Sequence, residues 1–312
     1  MNHNFLLSLH MYSYRLQVFH AVATTGSFSR AAREVLHISQ PAVSNHIHAL
    51  EEELGVLLLE RVGKRVLLTE AGQIVQHYAE QVLGLAHDTQ QALRELQGLE
   101  RGTLRLGASS TPGTYLLPPV LAAFVQRYPG ITLTIEIANS QRVVEGVLAR
   151  QWDLGMIGIP LEHPHLHVQP YWRDTLVLIV PPHHRLATQP AVTLADLAGE
   201  TWIFREAGSA SGRVVQDVLN GAHLEQEHTL VLQGSEGVKQ AVMAGLGIAM
   251  VSRFAITLEV QQGVLRALPI TDVQAERDLC LIWRHDSRLP AAVRAFLEVL
   301  HAQAPRGKAR ET

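Results

Sequence analysis

Four short stretches of this chain gather hydroxyl and amide side chains where a strand would hand over to a helix. They are Ser109-Ser110-Thr111, Asn139-Ser140, the run from Glu206 to Ser211 that holds Ser209, and Ser235-Glu236. A side chain of this kind caps a helix by accepting from an orphan amide one turn ahead. Brought together at one end of a sheet, the four would surround a ligand with free N–H groups and positive helix ends. That environment favours an anion or a carboxylate. Arg205 is the first candidate for a charged anchor and Arg142 the second, and each serves equally well as a surface ion-pair partner. The expected binding set is therefore Ser109, Ser110, Thr111, Asn139, Ser140, Arg205, Glu206, Ser209, Ser211, Ser235 and Glu236. No Ser/His/Asp order, Gly-x-Ser-x-Gly elbow or Walker loop appears, so an enzyme is not expected. The chain has 17 histidines, but His163, His165, His167, His183 and His184 fall in expected loops without a carboxylate or cysteine at metal spacing. No metal and no cofactor is expected.

A second constellation lies near the amino terminus. Ser39 can cap a helix whose first turn holds Pro41, where a missing N–H costs nothing. Val43, Ile47, Leu50 and Leu54 recur at helical spacing and turn inward. That leaves Gln40, Pro41, Ser44, Asn45 and His48 outward near the helix start. Amides and hydroxyls at an exposed helix end can read base edges in a major groove, with Pro41 against a thymine methyl. A shorter helix precedes it, capped by Ser27 or Ser29, with Ala31, Ala32 and Val35 on one face and a tight connection near His37. Residues 57–69 follow as two short strands around a Gly-containing turn. Arg30, Arg61, Lys64 and Arg65 are placed to hold phosphates or enter a minor groove.

In order, Phe19, Gly26-Ser27-Phe28-Ser29-Arg30-Ala31-Ala32, Ser39-Gln40-Pro41-Ala42-Val43-Ser44, Leu50-Glu51, Leu54-Gly55 and Leu68-Thr69-Glu70-Ala71-Gly72 resemble the winged helix-turn-helix of LysR-type transcriptional regulators. The remainder resembles that family's effector domain. Gly107-Ala108-Ser109, Leu117-Pro118, Asp153-Leu154-Gly155, Arg205 to Ser209 and Gly245-Leu246-Gly247-Ile248 look most like the branch governing sulfur assimilation and carbon fixation. The resemblance implies a regulator that binds double-stranded promoter DNA as a homodimer or homotetramer, meets RNA polymerase and answers to a small, anionic metabolite. Two readings from other classes remain: a metabolite-binding protein without DNA activity, and a redox switch at Cys280.

The fold class expected is α/β: a winged helix-turn-helix, a long linker helix, and a two-lobed effector domain like a type-2 periplasmic binding protein. Residues 1–10 are expected as a disordered extension, 11–70 as the DNA-binding domain, 71–97 as the linker and dimerisation helix, and 98–102 as a hinge. Lobe I should take 103–171 and 269–302, lobe II 172–268, and 303–312 a disordered tail. Alternating strands and helices in both lobes imply a largely parallel sheet. The linker lacks proline, and its stripe Ile74, Tyr78, Val82 and Leu85 needs a partner.

With 312 residues and 47% hydrophobic content the chain can bury several cores. No apolar run is long enough to cross a bilayer, and a cytoplasmic location without membrane contact is expected. A net charge of -3 excludes a nucleic-acid coat protein but not a site-specific binder, whose relevant charge is local. A single cysteine, Cys280, excludes an intrachain disulfide and sits in an apolar run that reads as buried.

Overall fold

The computed structural model describes residues 3–62, 65–95, 102–222, 228–285 and 289–303. The chain divides into two compact units, Met1–Gln90 with Ala149–Gln151, and Gln91–Leu148 with Trp152–Thr312.

The first unit begins with α1 (His3–Thr25), which continues back through most of the stretch expected to lack structure. His3 to Met11 contains no proline or glycine to stop a helix. Ser27 caps the next helix, its hydroxyl accepting from Arg30 N, and α2 (Phe28–Arg30) passes into π-type winding over Ala31–Leu36. That wider winding shifts the side-chain register. Ala31 and Ala32 are buried as expected, but Val35 is 51% exposed, and Leu36 and Ile38 pack on the core in its place. His37 makes the tight connection in the left-handed region, at φ 53°.

Ser39 then caps α3 (Gln40–Leu54) by accepting from Ala42 N, and Gly55 closes it at φ 70°. Val43, Ile47 and Leu50 are buried against Leu16, Phe19 and Val22 of α1. Each such aliphatic or aromatic side chain contributes about 1.5–3 kcal/mol on burial. Strands β1 (Leu59–Val62) and β2 (Arg65–Leu68) pair antiparallel. Thr69 Oγ1 donates to Leu57 O at 2.7 Å and accepts from Gly72 N at 3.0 Å, starting α4 (Glu70–Glu95). The expected hinge at 98–102 lies outside the described residues up to position 101, and Gly102 already belongs to the next strand.

In the second unit, lobe I carries β3 (Gly102–Ser109), a π-wound turn Pro112–Leu116, α5 (Leu117–Arg127), β4 (Ile131–Ala138), α6 (Ser140–Leu148) and β5 (Leu154–Ile157). Strand β6 (Leu166–Val180) is one continuous strand of 15 residues. Lobe II follows with β7 (Trp202–Arg205), α7 (Ala210–Gly221), β8 (Thr229–Leu232), α8 (Gly234–Met243), β9 (Ala249–Ser252), α9 (Thr257–Gln261) and β10 (Arg266–Leu268). Strand β11 (Glu276–Arg284) and α10 (Ala291–Gln303) return to lobe I, and positions 304–312 lie outside the described residues.

The main sheet runs β10-β6-β11-β5-β3-β4, with β9 also on β6. Only β4, β3 and β5 are mutually parallel; β11 is antiparallel to both β5 and β6, and β6 to β9 and β10. The sheet is thus mixed, where a largely parallel one was expected. Two antiparallel crossover strands, β6 and β11, account for the difference. The lobe boundary also moves. Leu268, Ile270, Val273 and Ala275 pack in the core of lobe II, so the chain returns after Ala275 and not at 269. On the other side Tyr171 and Trp172 pack on lobe I.

Tight packing sets α6 in place. A Cβ on Gly107 of β3 would lie 2.4 Å from the Trp152 ring, and one on Gly146 of α6 only 2.2 Å away. Both positions must lack a side chain for Trp152 to wedge between strand and helix.

Candidate functional site

Two surfaces carry the residues singled out from the sequence, one in each unit. In the first, Ser39, Gln40, Pro41, Asn45 and His48 are exposed on α3 and Ser44 is half-buried. The Ser29 hydroxyl donates to Gln40 Oε1 at 2.8 Å, which fixes the amide and leaves its Nε2 without an acceptor among the described residues. Asn45 likewise has both ends free there. His48 Nε2 lies 3.3 Å from Glu52, one turn on. Arg30 is exposed and tied to the Thr25 carbonyl at the end of α1.

Of the three acids at the end of α3, Glu52 is 68% exposed beside His48, and the other two are engaged within the unit. Glu53 pairs with Arg15 at 2.7 Å, and Glu51 accepts from Leu58 N and Leu59 N at 2.8 and 3.2 Å. Their charge is spent inside the unit and not beside Gln40. In the wing, Arg61 sits opposite Val66 and Arg65 opposite Val62, while Lys64 lies outside the described residues. On α4, Ile74, Tyr78, Val82 and Leu85 are 57%, 61%, 46% and 55% exposed, whereas Ala79 is buried in the unit's own core. The helix therefore has two apolar faces and only one is covered.

In the second unit, the ends of β3, β4 and β7 bring the predicted clusters around one polar niche between the lobes. Its lining is Ser109, Ser110, Thr111, Asn139, Ser140, Arg205, Ser209, Ala210, Ser211 and Arg277. Eight of the eleven expected binding residues are among them; Glu206, Ser235 and Glu236 are not. Asn139 caps α6 by accepting from Arg142 N at 2.9 Å, and Ser209 caps α7 by accepting from Gly212 N at 3.4 Å. The free space is about 10 Å³, room for about one water molecule.

Arg205 is not a free anchor. Its Nε and Nη2 donate to the two carboxylate oxygens of Glu206, each at 2.8 Å, and its Nη1 to Ser235 Oγ at 2.8 Å. Glu206 also accepts from Gly234 N at 3.2 Å. Burial would raise the Glu206 pKa, but the bonds from Arg205 and Gly234 outweigh it and hold the carboxyl below its ordinary range. Arg142, the other candidate, stacks over the Trp152 ring at 5.5 Å and is not in the lining. Glu236 is taken by Lys239 at 2.8 Å and by the Tyr115 hydroxyl. Lys239 is 2% exposed and also donates to Ala255 O at 2.7 Å and to Glu259 at 2.5 Å. Burial, then the bond to Glu236, pushes the Tyr115 hydroxyl's pKa up.

The residue missed from the sequence is Arg277. It stands on the crossover strand β11, almost fully buried. Its Nε donates to Asp174 of β6 at 2.8 Å, Nη1 to Ser211 of lobe II at 2.8 Å and Nη2 to Thr111 of lobe I at 2.9 Å. Ser252 donates to the other Asp174 oxygen at 2.7 Å. One guanidinium thus joins both lobes from the strand between them. Lobe contact is reinforced by Asn139 Nδ2 to Ala207 O at 3.3 Å and Gln141 N to Gly208 O at 3.4 Å. Cys280 is fully buried, and burial pushes its thiol up to about 12, so it is not a ready thiolate.

Comparison with known proteins reaches both units. Residues 14–73 match the model of a bacterial regulatory helix-turn-helix protein of the lysR family, and 97–305 that of the LysR substrate binding domain. The chain belongs to the LysR family and is a DNA-binding transcriptional regulator with an effector domain. Within the family it is similar to the regulators of carbon fixation. The RuBisCO operon transcriptional regulator of Allochromatium vinosum is 37% identical over 96% of this chain and 98% of its own length. The HTH-type transcriptional activator CmpR of Synechocystis is 32% identical, over 93% and 94%. Among solved structures, full-length CbnR complexed with its target DNA superposes with a TM-score of 0.67 at 26% identity, over 93% of this chain and 99% of that one. The regulatory domain of Synechocystis CcmR in complex with 2-PG gives 0.60 at 28%, over 65% and 97%. No helix among the described residues is long and apolar enough to cross a membrane.

Proposed function

We propose that this regulator controls promoters of carbon-fixation genes and that its cleft takes a small oxyanion or a phosphorylated or carboxylated metabolite. The observation that carries the ligand class is the lining itself. Two guanidiniums, six hydroxyls and the amino ends of α6 and α7 face the niche, and no carboxylate does. Glu206 and Asp174 already offset the two guanidiniums, so what favours an anion over a neutral solute there is the hydroxyl donors together with the positive amino ends of α6 and α7. The CcmR regulatory domain, whose structure is solved in complex with 2-PG, supports the same class.

Gln40, Pro41, Ser44 and Asn45 meet base edges, with His48, Arg30, Arg61, Lys64 and Arg65 along the backbone. The uncovered face of α4 pairs with a second copy, and two such pairs form the tetramer. Entry of an anion larger than water must part the lobes, because the niche is nearly filled. The effector then biases two arrangements of the domain and, through them, the assembly on DNA. The protein works in the cytoplasm and binds its ligand without turning it over.

The test pairs two measurements on the full chain. A gel shift with the intergenic DNA upstream of its own gene and of carbon-fixation operons should give a sequence-specific complex. A thermal-shift series with inorganic phosphate, sulfate and sugar phosphates should raise the melting temperature, and neutral sugars should not. Failure of the first rejects the promoter assignment, and failure of the second rejects the ligand class alone.

A further inference from the structure

A second and larger chamber adjoins the niche. Its free space is about 300 Å³, and its walls share Ser140, Ser209 and Ala210 with the niche. The floor differs in kind. Val144, Ile157, Ile159 and Leu161 make it aliphatic, where the niche is hydroxyl-lined. Arg213 of α7 stands on its wall, exposed, and its guanidinium has no partner among the described residues. The other charged group there, Glu145, accepts from Gln141 Nε2 at 3.0 Å and is partly satisfied.

We propose that this chamber is a second ligand site, taking an amphipathic monocarboxylate with its aliphatic body on Val144, Ile157, Ile159 and Leu161 and its carboxylate on Arg213. The volume lies within the range of small-molecule pockets, which combine an apolar floor with a few polar groups that fix orientation. Arg213 supplies the orienting group, since a guanidinium pairs a carboxylate through two parallel N–H bonds. The amino end of α7, at Ser209 and Ala210, adds the same sign of potential. Unlike the niche, the chamber needs no movement of the lobes to admit its occupant. It is bounded by α6 of lobe I and α7 of lobe II, so an occupant touches both. The assignment does not depend on what fills the niche.

Octanoate is the probe, titrated calorimetrically into the full-length protein. One saturable site is expected, and it should persist in saturating inorganic phosphate, with an affinity that levels off as the niche fills. Arg213→Gln should weaken octanoate at least tenfold, as loss of a charge-assisted bond implies. Octanol should bind more weakly than octanoate and be indifferent to that substitution. Ile159→Trp, which fills the chamber, should abolish binding; Arg213→Gln carries the test alone if the tryptophan variant fails to fold. Non-saturable uptake, or affinity unaltered by Arg213→Gln, overturns the proposal. An octanoate Kd that rises without limit as phosphate is added overturns it too, by merging the two cavities into one site.

Discussion

The face of α3 and the polar niche solve recognition in opposite ways. On α3 the working side chains lie within ten positions of one another and stay exposed, with Gln40 and Asn45 keeping free donors. In the niche they come from positions as far apart as Thr111 and Arg277, and their charges are already paired. Removing an exposed reader such as Gln40, which caps nothing, changes binding and leaves the fold alone. Removing a buried, paired group changes the fold first. Recognition of a long, rigid partner can be delegated to one helix, whereas recognition by enclosure requires the whole domain to agree.

That contrast can be broken or sharpened by substitution, beginning with the largest effect. Arg277→Ala strands Asp174 as a buried, unpaired charge, and such losses cost about 3–5 kcal/mol. The effector domain's melting temperature should drop by on the order of 10 °C in calorimetry. A drop of only a degree or two would mean the niche is as loosely built as the α3 face. Gln40→Ala should do the reverse. Its cost is about 1–3 kcal/mol of discrimination between operator and altered sequence, read by gel shift, with the melting temperature unmoved.

Ser39→Ala tests whether α3 is free of structural burden. Loss of the bond from Ala42 N should cost about 1 kcal/mol of stability, measured on denaturant unfolding. The smallest effect concerns pH. Glu206 has its folded pKa held below the ordinary 4.5, so near that pH the unfolded chain binds more protons. Its contribution is complete above that value and disappears as pH falls through the lower, folded one. Glu206→Gln should therefore flatten the decline of melting temperature below about pH 5.

The sequence exposes what is local. Ser27 and Ser39 announce their helices, Thr69 its own, and the Val43, Ile47, Leu50 spacing places one face of α3 inward. Val35 misleads because π-type winding breaks the 3.6-residue period on which its assignment rests. Arg277 and Asp174 escape notice for a shared reason. Strands read from apolar runs stop at Leu279 and Leu176, just short of both charges. The alternation Ala275, Arg277, Leu279 nevertheless keeps one face buried, and that period of two is the trace Arg277 leaves. The pairing of Arg205 with its own neighbour leaves no such trace, since adjacent residues of opposite charge are common on any surface. Nothing in the wing's basic spacing reveals its contacts either, and Lys64 lies outside the described residues.

Strand β6 has a mechanical implication. With β11 it carries the chain between lobes as a hydrogen-bonded ribbon, irregular only where Leu279 faces Trp172 and Cys280 faces Pro170. Such a ribbon flexes as a leaf spring does and has no freely rotating joint. The lobes can tilt while the ladder from Arg173 to Thr175 stays intact, so those amides should resist deuterium exchange with or without a bound anion, and a protease should find nowhere to cut between the halves.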